Sequence, residues 1–269
     1  MGYLVTIFYA IVQSITEFLP ISSSGHLVIF HQFIPLTLVD HLTFDVILHA
    51  GTLLSLIIYF WRDIVRLFLG FWQSLRNWNF RYDHQQRLPW LIILGNLPAI
   101  IVGFFLDNFW ENAFRSVYWV ILMLIIGAIL FIVFEKISKR NRELNTMNIK
   151  DALLIGVAQI LAFIPGTSRS GITIVAGLGS NFKREEAAKF SFLLAIPVIF
   201  GATIKKIIQL SSTSLSIDSL LIFILGAVVS AVVGYLVIKF LLRFLQRHSL
   251  TTFAIYRFIL AIILILIFI

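Results

Sequence analysis

The chain has 269 residues, of which 59% are hydrophobic and 13% charged, and its mean hydropathy is +0.97. That balance excludes an ordinary soluble domain, in which about half the residues are apolar and about a quarter charged. A formal net charge of +8 raises nucleic acid as a partner, but the basic residues sit in loops between apolar runs, where membrane topology puts them, so no nucleic acid is expected. With no cysteine, disulfide and thiolate chemistry are excluded as well.

A membrane helix needs roughly 20 apolar residues. The N-terminal run from Tyr3 to Val12 stops short of this at Gln13, Ser14, Thr16 and Glu17, followed by Pro20 and three serines. It lacks the basic start and small-residue cleavage site of a signal peptide, so it is expected to stay in the mature protein. Three long stretches follow, Leu42 to Trp61, Leu88 to Leu106 and Val117 to Phe134. Ile149 to Ile164 is again cut short, by Pro165-Gly166 and the polar series Thr167, Ser168, Arg169, Ser170. The last stretches are Phe190 to Gln209, Leu220 to Leu242 and Phe253 to Ile269. The expectation is one all-α polytopic membrane domain, residues 1–269, with six transmembrane helices and two re-entrant helix-break-helix hairpins. Polar, broken backbone at membrane depth is tolerated only when buried in protein or lining a wet cavity, which makes the two hairpins functional candidates.

Lys and Arg counted by loop give three on one side (Arg115, Lys205, Lys206) and sixteen on the other, from Arg62 to Arg247. The richer side is then cytoplasmic, both termini lie outside, and the hairpins enter from opposite faces. The hairpins also resemble each other. At an offset of 146, Gln13 matches Gln159, Ser22 matches Ser168, Ser24 matches Ser170, Gly25 matches Gly171 and Phe44 matches Phe190. Pro20 and Pro165 match at an offset one shorter, and Gly95 and Gly103 match Gly226 and Gly234 at 131. Two half-repeats follow, 1–145 and 149–269, each a hairpin plus three spans. An odd number of spans turns the second copy over, giving an inverted-topology repeat with the broken segments meeting near the midplane.

In the first hairpin Gln13 and Glu17 are four apart, on one helical face. An intramembrane carboxylate is expensive and by default functional, as metal ligand, proton acceptor or partner of a cation; the plainer alternative pairs it with Arg169 to hold the chain together. Ser22-Ser23-Ser24-Gly25 suits the start of a second half-helix, serine capping free N–H groups, and Ser168-Arg169-Ser170-Gly171 repeats the device. Two such starts converging with Arg169 favour phosphate or diphosphate, which Arg grips at two oxygens at once. His26 lies one turn beyond Ser23, placed to take its proton or to attack phosphorus itself. His31, His41, His49, His84 and His248 lack such company and read as interfacial, packed or solvated, His49 alone facing the interior of a span. Gly95, Gly103, Gly226 and Gly234 suit close helix packing, and Arg76 to Arg87, with Trp78, Phe80 and Tyr82, reads as a cytoplasmic loop near lipid headgroups.

At QSITEFLPISSSGHL (Gln13 to Leu27) and PGTSRSGIT (Pro165 to Thr173) the sequence resembles the undecaprenyl-diphosphate phosphatase, or bacitracin-resistance, family of bacteria. FSFLLAIP (Phe190 to Pro197) and AIYRF (Ala254 to Phe258) extend the resemblance over nearly the whole chain. One departure is Gln13, where the family commonly has Glu. The resemblance implies hydrolysis of undecaprenyl diphosphate to the monophosphate in a bacterial plasma membrane, recycling the lipid carrier for cell-wall precursors, with bacitracin resistance as a consequence. It implies Glu17, Ser23, His26 and Arg169 as catalytic, opening to the outer face, and Gln13, Ser22, Ser24, Gly25, Ser168, Ser170 and Thr173 around a prenyl diphosphate lipid. It also implies a divalent cation, Mg²⁺ or Ca²⁺, at Glu17, and leaves a homodimer open. A secondary transporter or lipid flippase shares the inverted-repeat architecture and is the main rival. The type-2 phosphatidic-acid phosphatases, which also pair serine, glycine and histidine, need a later Arg with a distant His and Asp that this chain lacks.

Overall fold

A computed structural model describes residues 2–34, 41–77, 79–80, 83–114, 116–210 and 217–269. Arg115, Arg81, Trp78 and Tyr82, which enter the charge count and the reading of the 76–87 loop, lie outside them. The helices in chain order are α1 (Gly2–Phe18), α2 (Ser23–Phe33), α3 (His41–Tyr59), α4 (Trp61–Arg76), α5 (His84–Ala113), α6 (Val117–Ile137), α7 (Ile149–Ile160), α8 (Arg169–Gly179), α9 (Arg184–Leu210), α10 (Ile217–Arg247) and α11 (Thr251–Phe268). Among the described residues the only β pairing is an isolated bridge, Arg142 to Phe182. Among the described residues five segments are long and apolar enough to cross a bilayer: His84–Phe105, Val117–Ile137, Arg184–Lys205, Ser219–Arg247 and Thr251–Phe268. A sixth arises if Thr43–Tyr59 is counted with α4, into which it bends by 77°. The chain is an all-α polytopic membrane protein.

Helix α4 is the element that the run of apolar residues did not announce. Arg62, Asp63 and Arg66 end the hydrophobic stretch, but the chain stays helical with Val65, Phe68, Leu69, Trp72 and Leu75 exposed and Gly70 and Ser74 buried. A helix with one apolar and one charged face is of the kind that lies along a membrane interface rather than crossing it. Trp90 donates to Ser74 Oγ at 2.9 Å and ties α4 to α5.

Both short segments break at a proline, which ends a helix by lacking an N–H. α1 stops at Phe18 before Leu19-Pro20-Ile21, and α7 passes through one 3₁₀ turn, Leu161–Phe163, before Pro165 and Gly166. Each broken segment packs on a distant span: α1 lies along α10, and α7 lies along α5. α3 packs on α9 and α10, α6 runs beside α11, and α8 is enclosed by α6, α7 and α9. Ser14 Oγ, buried on α1, donates to Ala10 O at 2.7 Å and Ser230 O at 3.0 Å, closing the α1–α10 seam. Small residues set the other seam, since a Cβ added at Gly156 would overlap the Gly95 carbonyl. Phe18, Phe60 and Phe192 fill the core beneath the first break, with Phe18 and Phe192 edge to face at 5.5 Å.

Candidate active site

One serine caps the second half of each broken segment, and the two do so alike. Ser22 (φ 77°, ψ 98°) caps α2 by accepting from Gly25 N at 3.2 Å. Ser168 (φ 69°, ψ 107°) caps α8 by accepting from Gly171 N, also at 3.2 Å. Positive φ is a region that L residues with a Cβ rarely enter, and such outliers gather at functional sites. A helix start presents unpaired amides and the positive end of its dipole, so each is suited to an anion.

Glu17 lies between the two starts, only 7% exposed. Its Oε1 accepts from Arg169 Nη2, an ion pair that links α1 to α8. Its Oε2 accepts from Ser23 Oγ at 2.6 Å and from Gln13 Nε2 at 3.2 Å. Arg169 also donates to Ala195 O at 3.4 Å on α9, which leaves part of its guanidinium for a ligand. Glu17, Ser23, Ser24, Ser168 and Arg169 face one cavity of about 260 Å³. The lining also includes apolar Ala99 from α5, Phe163 after α7, and Val198, Ile199 and Ala202 from α9, with the polar Gln159 of α7 and Thr203 of α9 among them.

The remaining sequence candidates support this wall. His26 is absent from the cavity lining: its Nδ1 donates to Ser22 O at 2.7 Å, and its Nε2 accepts from the Tyr256 hydroxyl at 2.7 Å. The carbonyl partner fixes Nδ1 as the protonated nitrogen. The group in contact with the Ser23 hydroxyl is therefore Glu17. Thr173 Oγ1 bonds to Arg169 O at 2.8 Å and to Ser191 Oγ at 2.6 Å, tying α8 to α9. Ser24 Oγ lies 3.4 Å from Ser22 Oγ, and Ser170 Oγ lies 3.2 Å from Ser168 Oγ. Gly25 sits where a Cβ would stand 3.2 Å from both Ser22 Oγ and Val120.

Three contributors were not singled out by sequence. His49 faces the cavity and lies 3.0 Å from Gln13 Nε2 and 3.6 Å from Glu17 Oε2. Tyr256 holds His26, and its neighbour Arg257 is fully buried. The signal was present for two of them: an imidazole and a guanidinium inside apolar runs are functional candidates by default.

Among the described residues no three His, Asp or Glu side chains converge as a ready metal cluster. Among the described residues Glu17 is the one carboxylate on the cavity wall, and Gln13 beside it has a buried Oε1 with no protein partner. One carboxylate and a spare amide oxygen suit a hard cation that fills its shell mainly with water and phosphate oxygens, as Mg²⁺ usually does.

Comparison with known proteins agrees over the whole length. The family model described as bacitracin resistance protein BacA matches residues 6–263. A protein of Rubrobacter xylanophilus named undecaprenyl-diphosphatase is 41% identical over 93% of this chain and 92% of its own. Proteins of the same name from Halothermothrix orenii (42% identical, 97% and 96% covered) and Idiomarina loihiensis (38% identical, both fully covered) are similar too. A serine-capped pair of helix starts with Glu17 and Arg169 between them thus sits in a chain that belongs to the bacitracin-resistance, or BacA, family.

Proposed function

We propose that this chain is an integral-membrane phosphatase that hydrolyses undecaprenyl diphosphate to undecaprenyl phosphate and inorganic phosphate, returning the cell-wall lipid carrier to use and thereby conferring bacitracin resistance. The single observation that carries the chemistry is Ser23 Oγ, 2.6 Å from Glu17 Oε2, on a cavity lined by both charged and apolar side chains. The diphosphate sits against Arg169 and the two capped helix starts, and the prenyl chain runs along Ala99, Phe163 and Ala202 towards lipid. Ser23 Oγ attacks the terminal phosphorus as Glu17 takes its proton. The bridging P–O bond breaks, and its electron pair leaves with the lipid monophosphate. Water then attacks the phosphoserine, Glu17 returns the proton to Ser23 Oγ, and the water's proton leaves on the phosphate. His26, fixed between Ser22 and Tyr256, holds the first helix start in shape. A divalent cation, Mg²⁺ or Ca²⁺, would neutralise charge on the phosphates, with Gln13 Oε1 nearby and Glu17 as its ligand in the variant of this scheme in which Glu17 is not the base.

The two half-repeats, 1–145 and 149–269, belong to the same reading, supported by the matched caps and by the reciprocal packing of α1 on α10 and α7 on α5. The Lys and Arg distribution supports termini on the outer face of the bacterial plasma membrane, and the family resemblance implies a site that opens to the same face. The test is phosphate release from undecaprenyl diphosphate by purified protein, with Mg²⁺ and with EDTA. Release that needs the metal and is lost in Glu17→Ala is the expected result. A well-folded wild type that leaves the diphosphate intact would turn the assignment towards transport.

A further inference from the structure

Arg257 is wholly buried in α11, and every N–H it has is spent on backbone. Its Nε donates to Leu124 O at 3.1 Å, Nη1 to Thr167 O at 3.0 Å and Pro20 O at 3.4 Å, and Nη2 to Met123 O at 2.7 Å and Gly166 O at 3.0 Å. The guanidinium also lies over the Phe131 ring, 5.2 Å from its centre. Among the described residues no carboxylate pairs with it.

The identity of the carbonyls matters more than their number. Pro20 is two residues before the Ser22 cap, and Gly166 and Thr167 are the two residues before the Ser168 cap. One rigid side chain therefore grips the entry to both anion-binding helix starts and anchors them to the same turn of α6. A planar guanidinium has five donors in fixed directions, so it sets the spacing and tilt of what it binds; an ammonium has three, on a flexible stem. A buried charge balanced only by carbonyl dipoles is costly unless it is used, and a preorganised positive charge behind a phosphate site is a recognised use.

We propose that Arg257 is a positioning residue for the anion site: it holds the two serine-capped helix starts in register with each other and sets a positive charge behind them, so that both grip one diphosphate. This rests on the phosphatase reading but is tested without it, by binding of inorganic pyrophosphate to the detergent-purified chain, measured by calorimetry beside the melting temperature. In Arg257→Lys the charge stays while the five-point grip is lost, and pyrophosphate affinity is expected to fall about 10-fold or more in protein that still melts cooperatively. A purely structural arginine predicts a lower melting temperature with affinity in the folded protein unchanged.

Should Arg257→Lys fail to fold, Gly127→Ala decides. A Cβ there would come within 2.5 Å of Arg257 Cζ, displacing the guanidinium without removing it, and affinity should drop several-fold. Pyrophosphate affinity within twofold of wild type in whichever of these variants folds, or no pyrophosphate binding by wild type, would overturn the proposal. A wild type that binds pyrophosphate in an Arg257-dependent way yet releases no phosphate from the lipid would leave the positioning role standing and sink the phosphatase.

Discussion

The first residue of α2 is Ser23 and the first residue of α8 is Arg169, each directly after a serine with nearly the same backbone angles. Five residues before the cap stands Glu17 in one segment and Phe163 in the other; four residues after it, His26 in one and Ile172 in the other. Glu17, Ser23, Phe163 and Arg169 all face the same cavity. The backbone device is therefore duplicated while the chemistry is divided. One copy brings a hydroxyl hydrogen-bonded to a carboxylate, and the other brings a guanidinium and an aromatic ring. A capped helix start is generic, and on the proposed reading single side chains at matched points decide what it does.

That division can be broken most decisively at the charged pair. Glu17→Gln keeps a hydrogen-bond acceptor for Arg169 but takes no proton, so kcat is expected to fall about 10²–10⁴-fold with pyrophosphate binding retained. Arg169→Ala should lose pyrophosphate binding together with turnover. It should also lower the melting temperature, because a buried carboxylate left without its partner costs about 3–5 kcal/mol. Equal binding losses from both substitutions would mean that the two segments do not divide the work. A smaller effect belongs to the apolar wall. Phe163→Ala is expected to raise KM for the long-chain lipid about 10-fold, as a trimmed hydrophobic contact does, and to leave pyrophosphate affinity alone. The smallest test sharpens the backbone half of the comparison: Ser22→Ala and Ser168→Ala should each cost about 1 kcal/mol of stability. Melting curves that differ strongly between them would show that the two caps are not equivalent.

Much of this was readable from the chain. Length and hydropathy located the spans, and proline with serine located both breaks, because those signals are local. That Glu17, Ser23 and Arg169 belong together was legible for the same reason: polar groups inside apolar sequence stand out, and the three meet at one cavity. What was not legible depends on distance along the chain. Tyr256 meets His26 across 230 residues, and Arg257 meets Pro20 across 237, contacts that no periodicity announces. His26 shows what helical spacing leaves out: it lies one turn beyond Ser23, yet its two ring nitrogens contact Ser22 O and Tyr256 while Glu17, on the preceding helix, meets the hydroxyl. Helix α4 escaped because its charges resemble a loop to any reading that ignores the face on which they fall.

The positive φ of Ser22 and Ser168 bears on how this protein can be engineered. A glycine at either position would relax the backbone, and substitutions that relieve unfavourable dihedral angles are a standard route to tougher proteins. Here that route removes the two hydroxyls that organise the helix starts. Redesign that relaxed positive-φ positions to obtain an easier membrane protein to purify would reach these two serines along with Arg140 and Asn181, and at the serines it would trade both helix caps for the gain.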